Sequence, residues 1–249
     1  MPSHAQPPAA TPYGTVCVGR ITELWRYPVK SMLGERLESL SCDSRGIVGD
    51  RVFAVRNAEG KFGSGKNTRR FRKIDGLLAF QAEYDGDHVQ VRFPDGQRAR
   101  ASEAHIHDSL TRALGQPVTL ARETDTSHLD AAPIHLLTTA SLRWLQAALP
   151  AAAIDALRFR PNLVIDVAGE GPLEQAWIGK RLRVGNTVEL LVTEATELCG
   201  MIAFAQSDLA EVPSVLRYVT QHADLKFGVY ARVVTPGRIH VGYNAMLCV

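Results

Sequence analysis

Cysteine is scarce in this chain of 249 residues: Cys17, Cys42, Cys199 and Cys248 stand far apart and form no C-x-x-C pair. Neither a disulfide framework nor a cysteine-built zinc or iron–sulfur site is written in such spacing, so a cysteine that matters acts alone. Excess charge of one sign is lacking too. With 28 Lys+Arg against 26 Asp+Glu, a net +2 does not point to a strongly basic nucleic-acid binder. No apolar run approaches the ~18 residues of a membrane span. The opening MPSHAQPPAATPYG lacks the charged-then-apolar order of a secretory signal, so a cytoplasmic protein with no membrane and no nucleic-acid partner is expected. What remains is an ordinary globular mixture, 45% hydrophobic and 22% charged. Its length suits one large domain or two small ones packed closely together.

Residues 1 to about 14 are rich in Pro and Ala without periodicity and read as a flexible lead-in. Short strands with turn signals follow: Arg51–Val55, the turn Asn57–Gly60, and Val89–Phe93 running into Pro94-Asp-Gly96. A helix is predicted with Ser102 as N-cap, with Ile106, Leu110 and Leu114 along one face and Gly115 ending it. Beyond the polar stretch Arg122–Asp130, Pro133–Leu137 reads as a strand entering a helix capped at Thr138-Thr139 and carrying Leu142, Leu145 and Leu149. Leu163–Val167 reads as a strand, Leu182–Leu190 as a hairpin about Gly185-Asn186, and a helix is predicted from Pro213 or Ser214. Strands Phe227–Val234 and Arg238–Val241 flank Thr235-Pro-Gly237. Strands outnumber helices and rarely alternate with them. The expectation is therefore a mainly β (α+β), barrel-like antiparallel fold with a few covering helices.

Several segments bear donors or nucleophiles. Gly60-Lys-Phe-Gly-Ser-Gly65-Lys66-Asn67 nearly fits a phosphate loop, but Asn67 replaces the magnesium-binding hydroxyl and the basic stretch after it is too short for the apolar helix that should follow. Lys66, Arg69, Arg70, Arg72 and Lys73 are nevertheless a concentrated positive patch, either a solvated face or an anion site. Tyr27-Pro-Val-Lys30-Ser31 sets an ammonium and a hydroxyl after a strand, and Arg160 and Asn162 flank Pro161 at a strand entrance. Lys30 and Arg160 are expected to be exposed, contributing little to stability. Cys199 follows a strand and is either a small buried hydrophobe or a thiolate ligand or nucleophile. His105 and His107, two apart on a helix, read as surface histidines.

Taken together, Tyr27–Ser31, Gly46-Ile-Val-Gly-Asp-Arg51, Leu136–Ser141, Arg158-Phe-Arg-Pro-Asn162, Trp177-Ile-Gly179 and Cys199 resemble the MOSC family, which includes the C-terminal domain of molybdenum cofactor sulfurases and the amidoxime-reducing molybdenum enzymes. The resemblance implies an N-terminal MOSC β-barrel module over residues 15–122 and a MOSC domain of β-barrel type over 123–249. It implies the molybdenum cofactor (molybdopterin with Mo), with Lys30, Ser31 and Arg51 on the pterin phosphate, Arg160 and Asn162 on the pterin edge and phosphate, and Cys199 on the metal as the catalytic thiolate. Thr139 and Ser141 would add donors. At family level it also carries pyridoxal phosphate binding. The implied activity is an oxidoreductase that reduces N-hydroxylated or other N-oxygenated small molecules, with electrons from a separate flavin or iron–sulfur protein. Alternatives are sulfur transfer through a Cys199 persulfide, or a non-catalytic cofactor-binding relative. Leu198, after Glu197, stands where the family usually has Arg before its cysteine.

Overall fold

Along Val188–Glu197, Val188, Leu190 and Val192 are buried while Glu189, Leu191 and Thr193 between them are only half-buried. A strand patterned this way turns one face inward. Seven strands share such a face in the computed structural model, which describes residues 14–249. They are β1 (Thr15–Arg26), β2 (Ile134–Thr138), β3 (Leu163–Asp166), β4 (Arg181–Val184), β5 (Val188–Glu197), β6 (Lys226–Thr235) and β7 (Asn244–Cys248). Their order is β3-β2-β6-β5-β4-β7-β1, and β1 pairs again with β3 to close a barrel. Neighbours are antiparallel except β2 and β3, which are parallel. Closure pairs the backbone all the way round, and the inward residues, among them Ile21, Leu24, Leu136, Leu163, Leu190 and Ala231, fill one core. The fold is mainly β, as the alternation predicts. The lead-in expected over residues 1–14 falls almost wholly outside the described residues.

A second core lies in the N-terminal half. Phe53–Asn57 pairs with Val118–Arg122, with Phe62–Ser64 and, in parallel, with Val29–Lys30, and Phe71–Lys73 extends that sheet. A meander of Gln81–Asp85, His88–Arg92 and Arg98–Arg100 packs beside it, and the shared interior holds Val29, Val55, Phe80, Val91, Ile106 and Val118. The sheets do not follow a cut at residue 122. β1 belongs to the barrel that the C-terminal half builds, and Ser39–Asp43 pairs with Gly237–His240.

Among the described residues three α-helices lie outside the sheets: α1 (Ile106–Leu114), α2 (Thr139–Ala148) and α3 (Pro213–Ala223). The start of α1 differs from expectation: its N-cap is His105, without a side-chain cap bond, and Ser102 lies in the preceding turn. Gly115 ends it at φ 68°. Thr138 caps α2 by accepting from the Ser141 N–H at 3.2 Å, and α2 and α3 cover the barrel through Leu145, Val215 and Val219 against Phe159 and Phe227. At Gly228, in β6, φ is 78°, and a Cβ there would lie 2.4 Å from His135 Nε2 and 2.7 Å from the Leu136 carbonyl oxygen. Gly228→Ala is therefore expected to lower stability by about 1–3 kcal/mol, read as a shifted urea midpoint. An unchanged midpoint would show that the strand relaxes freely there.

Candidate functional site

Between the two cores lies a cavity of about 320 Å³. One wall comes from the N-terminal half, with Lys30, Ser31, Arg51, Lys66, Arg70 and Phe71; the other comes from the barrel end, with His135, Arg160, Thr196, Cys199 and Tyr230. Asp130 and Glu197 are the carboxylates on its lining.

The first wall follows from how the chain leaves β1. Val29–Lys30 pairs in parallel with Phe53 and Ala54, and the Arg51 N–H donates to the Tyr27 carbonyl at 2.7 Å, so Lys30 and Arg51 emerge side by side. Asp50, fully buried, accepts from the Tyr27 N–H at 2.7 Å and also from the Arg51 guanidinium. Ser31 donates its hydroxyl to the Gly63 carbonyl at 2.9 Å. Arg160 caps the 3-10 turn Ala156–Phe159, lies over the Tyr27 ring at 4.3 Å and donates from Nη1 to the Met32 carbonyl at 2.5 Å. Ser31, Arg51 and Arg160 all take left-handed backbone conformations, with φ of 66°, 51° and 56°. Side chains other than glycine adopt that region only at a cost, and such strain concentrates where geometry serves a ligand.

The structure brings Lys30, Ser31, Arg51, Arg160 and Cys199 to one cavity. Lys66 and Arg70 of the basic patch join them, their cations 5.5 and 5.2 Å from the centre of the Phe71 ring. Asn162, Thr139 and Ser141 do not line it. Asn162 is buried and ties β1 to β2, accepting from the His135 N–H at 3.1 Å and donating to the Trp25 carbonyl at 3.3 Å. Thr139 donates to Asp166 at 2.7 Å, and Ser141 to the buried Glu174 at 2.7 Å. Neither Lys30 nor Arg160 is the exposed donor expected from sequence: Lys30 is 3% exposed and paired with Asp130 at 2.5 Å, and Arg160 is half-buried. His105 is exposed, whereas His107 accepts from the Leu120 N–H at 3.0 Å. Cys199 is half-buried at the head of the turn Gly200–Ala203, beside Leu33, Leu78 and Met201.

Burial and neighbouring charges oppose one another in the electrostatics of the cavity. It pulls the Lys30 ammonium below its ordinary value although Asp130 opposes this, and pulls Arg160 down to about 10. Burial also acts to raise Asp130, but Lys30 and Arg51 overcome it and hold that carboxyl well below the usual range. The Tyr230 phenol is pushed up by burial and stays protonated. Three polar atoms of the lining residues are buried without a protein partner: Arg160 Nη2, His135 Nε2 and Thr196 Oγ1. Asp130, His135 and Tyr230 were not singled out from sequence. Asp130 sits in a featureless polar linker and the other two inside apolar strands, where only tertiary placement reveals them.

Comparison with known proteins decides the family. The MOSC domain model matches residues 106–244, and the model for the MOSC N-terminal beta barrel domain matches residues 18–134. The chain belongs to the MOSC family. Among solved structures, the YUAD protein from Bacillus subtilis aligns over 94% of this chain and 97% of its own at 14% identity, with a TM-score of 0.50, a likeness of fold. YiiM from Geobacillus stearothermophilus aligns over 47% of this chain and 54% of its own, at 19% identity and a TM-score of 0.37. No curated protein sequence matches the chain. In MOSC terms, the cavity lies where segments matched by the two models meet.

Two predictions follow from the buried groups. Burial lowers His128 and His135 to about 4, whereas in an unfolded chain each titrates near 6.5. Both rings therefore leave stability intact above about pH 6.5 and withdraw it as pH falls toward 4, on the order of 1–3 kcal/mol each. Urea unfolding at stepped pH should show this loss, and replacing either ring by Gln should shrink it. Ser141→Ala is expected to lower stability by about 1–2 kcal/mol, read as a shifted urea midpoint, since it leaves Glu174 with one hydroxyl donor fewer.

Proposed function

We propose that the chain is a molybdenum-cofactor-binding oxidoreductase that reduces N-hydroxylated or other N-oxygenated small molecules. The observation that carries this reading is the convergence of Lys30, Ser31, Arg51, Arg160 and Cys199 on one cavity. The donor set suits a phosphate: two guanidinium groups and an ammonium, with Arg160 Nη2 still unpartnered, while the Ser31 hydroxyl donates to the Gly63 carbonyl. The same cavity is lined by a single thiol, that of Cys199. Among the described residues no three His, Cys, Asp or Glu side chains cluster to hold a metal, so a metal beside Cys199 must bring ligands of its own. A pterin dithiolene does that, and a soft thiolate suits a metal already bound by sulfur. The residues present therefore fit the group.

When bound, the cofactor supplies two-electron reduction of the N–O bond: substrate, two electrons and two protons give the reduced compound and water. The chain's own part is positional and electrostatic. Lys30, Arg51 and Arg160 hold the phosphate, while Cys199 provides the protein's ligand to the metal. Tyr230, protonated at neutral pH and lining the same cavity, is placed to donate a hydrogen bond to a bound substrate oxygen. Electrons come from a separate flavin or iron–sulfur protein.

The deciding measurement is molybdenum and pterin content of the chain produced with cofactor biosynthesis, followed by reduction of N-hydroxylated compounds with a reducing dye. About one of each per chain is expected. A folded chain holding neither would overturn the reading in favour of sulfur transfer at Cys199. Cys199→Ala should keep the pterin and lose turnover, and unchanged molybdenum and activity would remove it as ligand. Lys30→Ala should weaken pterin retention about ten- to a hundredfold, as loss of one charged hydrogen bond implies.

A further inference from the structure

Asp130 is out of place in a cavity built to receive an anion. Its Oδ1 lies 2.5 Å from Lys30 Nζ, and its Oδ2 3.6 Å from Arg51 Nε. The two ends of this pairing differ. The Lys30 side chain is 4% exposed and fixed, whereas the Asp130 side chain is 43% exposed and can turn outward to water. The segment between Arg122 and Ile134 contains no helix or strand, but its backbone is anchored: His128 is fully buried, and Arg70 donates to the Ser127 and Leu129 carbonyls. Only the carboxylate has to move. Asp50 is the contrast, fully buried and held by the Tyr27 N–H, so Arg51 keeps one partner when Asp130 leaves. Asp130 is the one carboxylate paired with Lys30, which cannot stay charged and buried alone.

We propose that Asp130 is a built-in counter-ion that an incoming ligand must displace, and that it makes the cavity selective for dianionic phosphate monoesters over singly charged anions. The proposal rests on the reading of the cavity as a phosphate site. Exchanging one carboxylate for another monoanion leaves the charge balance at Lys30 and Arg51 unchanged, so nothing drives it. A dianion adds a second charge and further oxygens, which the unpartnered Arg160 Nη2 and the nearby Lys66 and Arg70 can meet.

The test is calorimetric titration of the full chain, made in a host unable to synthesise molybdopterin, with inorganic phosphate at pH 8 and with acetate as the monoanion. The expected result is binding of phosphate but not acetate by the unaltered chain. Asp130→Asn should bind phosphate at least tenfold tighter and begin to bind acetate, while Asp130→Glu keeps the discrimination. Asp125→Asn, which removes an exposed carboxylate from the same segment, should leave both affinities unchanged. Asp130→Asn binding phosphate no more tightly, the same gain in Asp125→Asn, or no phosphate binding by any variant would overturn the proposal. Thermal midpoints with and without phosphate establish that each variant folds, and Asp130→Ala replaces Asp130→Asn should that one not fold. Molybdenum and pterin content, measured on chain from a competent host, judges the cofactor reading separately.

Discussion

Positive charge held away from water at the meeting of two cores is the constraint from which the rest of the site follows. Moving an ammonium or guanidinium out of bulk solvent costs several kcal/mol even after relaxation, unless partners compensate. Lys30 and Arg51 have Asp130 and Asp50 close by, and Arg51 and Arg160 both lie over the Tyr27 ring, at 5.1 and 4.3 Å. The Tyr27 hydroxyl in turn donates to the Pro161 carbonyl, so one aromatic ring links the turn after β1 to the turn before β3. The left-handed backbones of Ser31, Arg51 and Arg160 belong to the same arrangement: each turns a side chain toward the cavity that an ordinary extended backbone would send elsewhere.

Such a site works only if its two walls cannot drift apart, and β1 provides for that. It pairs with β7, β3 and the short strand Glu35–Leu37, so the segment that delivers Tyr27 and Lys30 is part of the barrel before it enters the second core. Asn162 reinforces the join with bonds to both Trp25 and His135. The same connections explain why Asn162 holds the walls together instead of facing what lies between them.

Alternating and fourfold-spaced apolar residues made the local elements legible: the hairpin about Gly185, the strands of the barrel and the faces of α1 and α2 follow from Val188, Leu190, Ile106, Leu110 and Leu145. The place of β1 was not legible, because pairing between Thr15 and Cys248 spans nearly the whole chain and no local pattern encodes it. Ser102 failed as a cap for a related reason: several polar residues precede Ile106, and propensity alone does not choose among them. The family resemblance brought Lys30, Ser31, Arg51, Arg160 and Cys199 into view, yet it says nothing of which donors the fold itself consumes. Thr139 and Ser141 are used in binding Asp166 and Glu174 around the start of α2. Asp130 and His135 escaped for opposite reasons, one lost among polar linker residues and the other enclosed in an apolar strand.

The departure before Cys199 gains meaning from its surroundings. Leu198 is 8% exposed, its N–H bonded to the Leu225 carbonyl and its side chain in the core beneath α3 with Val215, Val219 and Phe227. An arginine there would give up this aliphatic packing and set its guanidinium on the cavity that Leu198 also lines, so leucine keeps the stretch beside Cys199 apolar. The consequence is a cavity with an uneven lining. Cations gather at Lys30, Arg51, Lys66 and Arg70, while Cys199 stands among Leu33, Leu78, Met201 and Phe204, with Glu197 as the nearest charge in sequence. An anionic group is favoured beside these cations and disfavoured against the aliphatic side chains around Cys199.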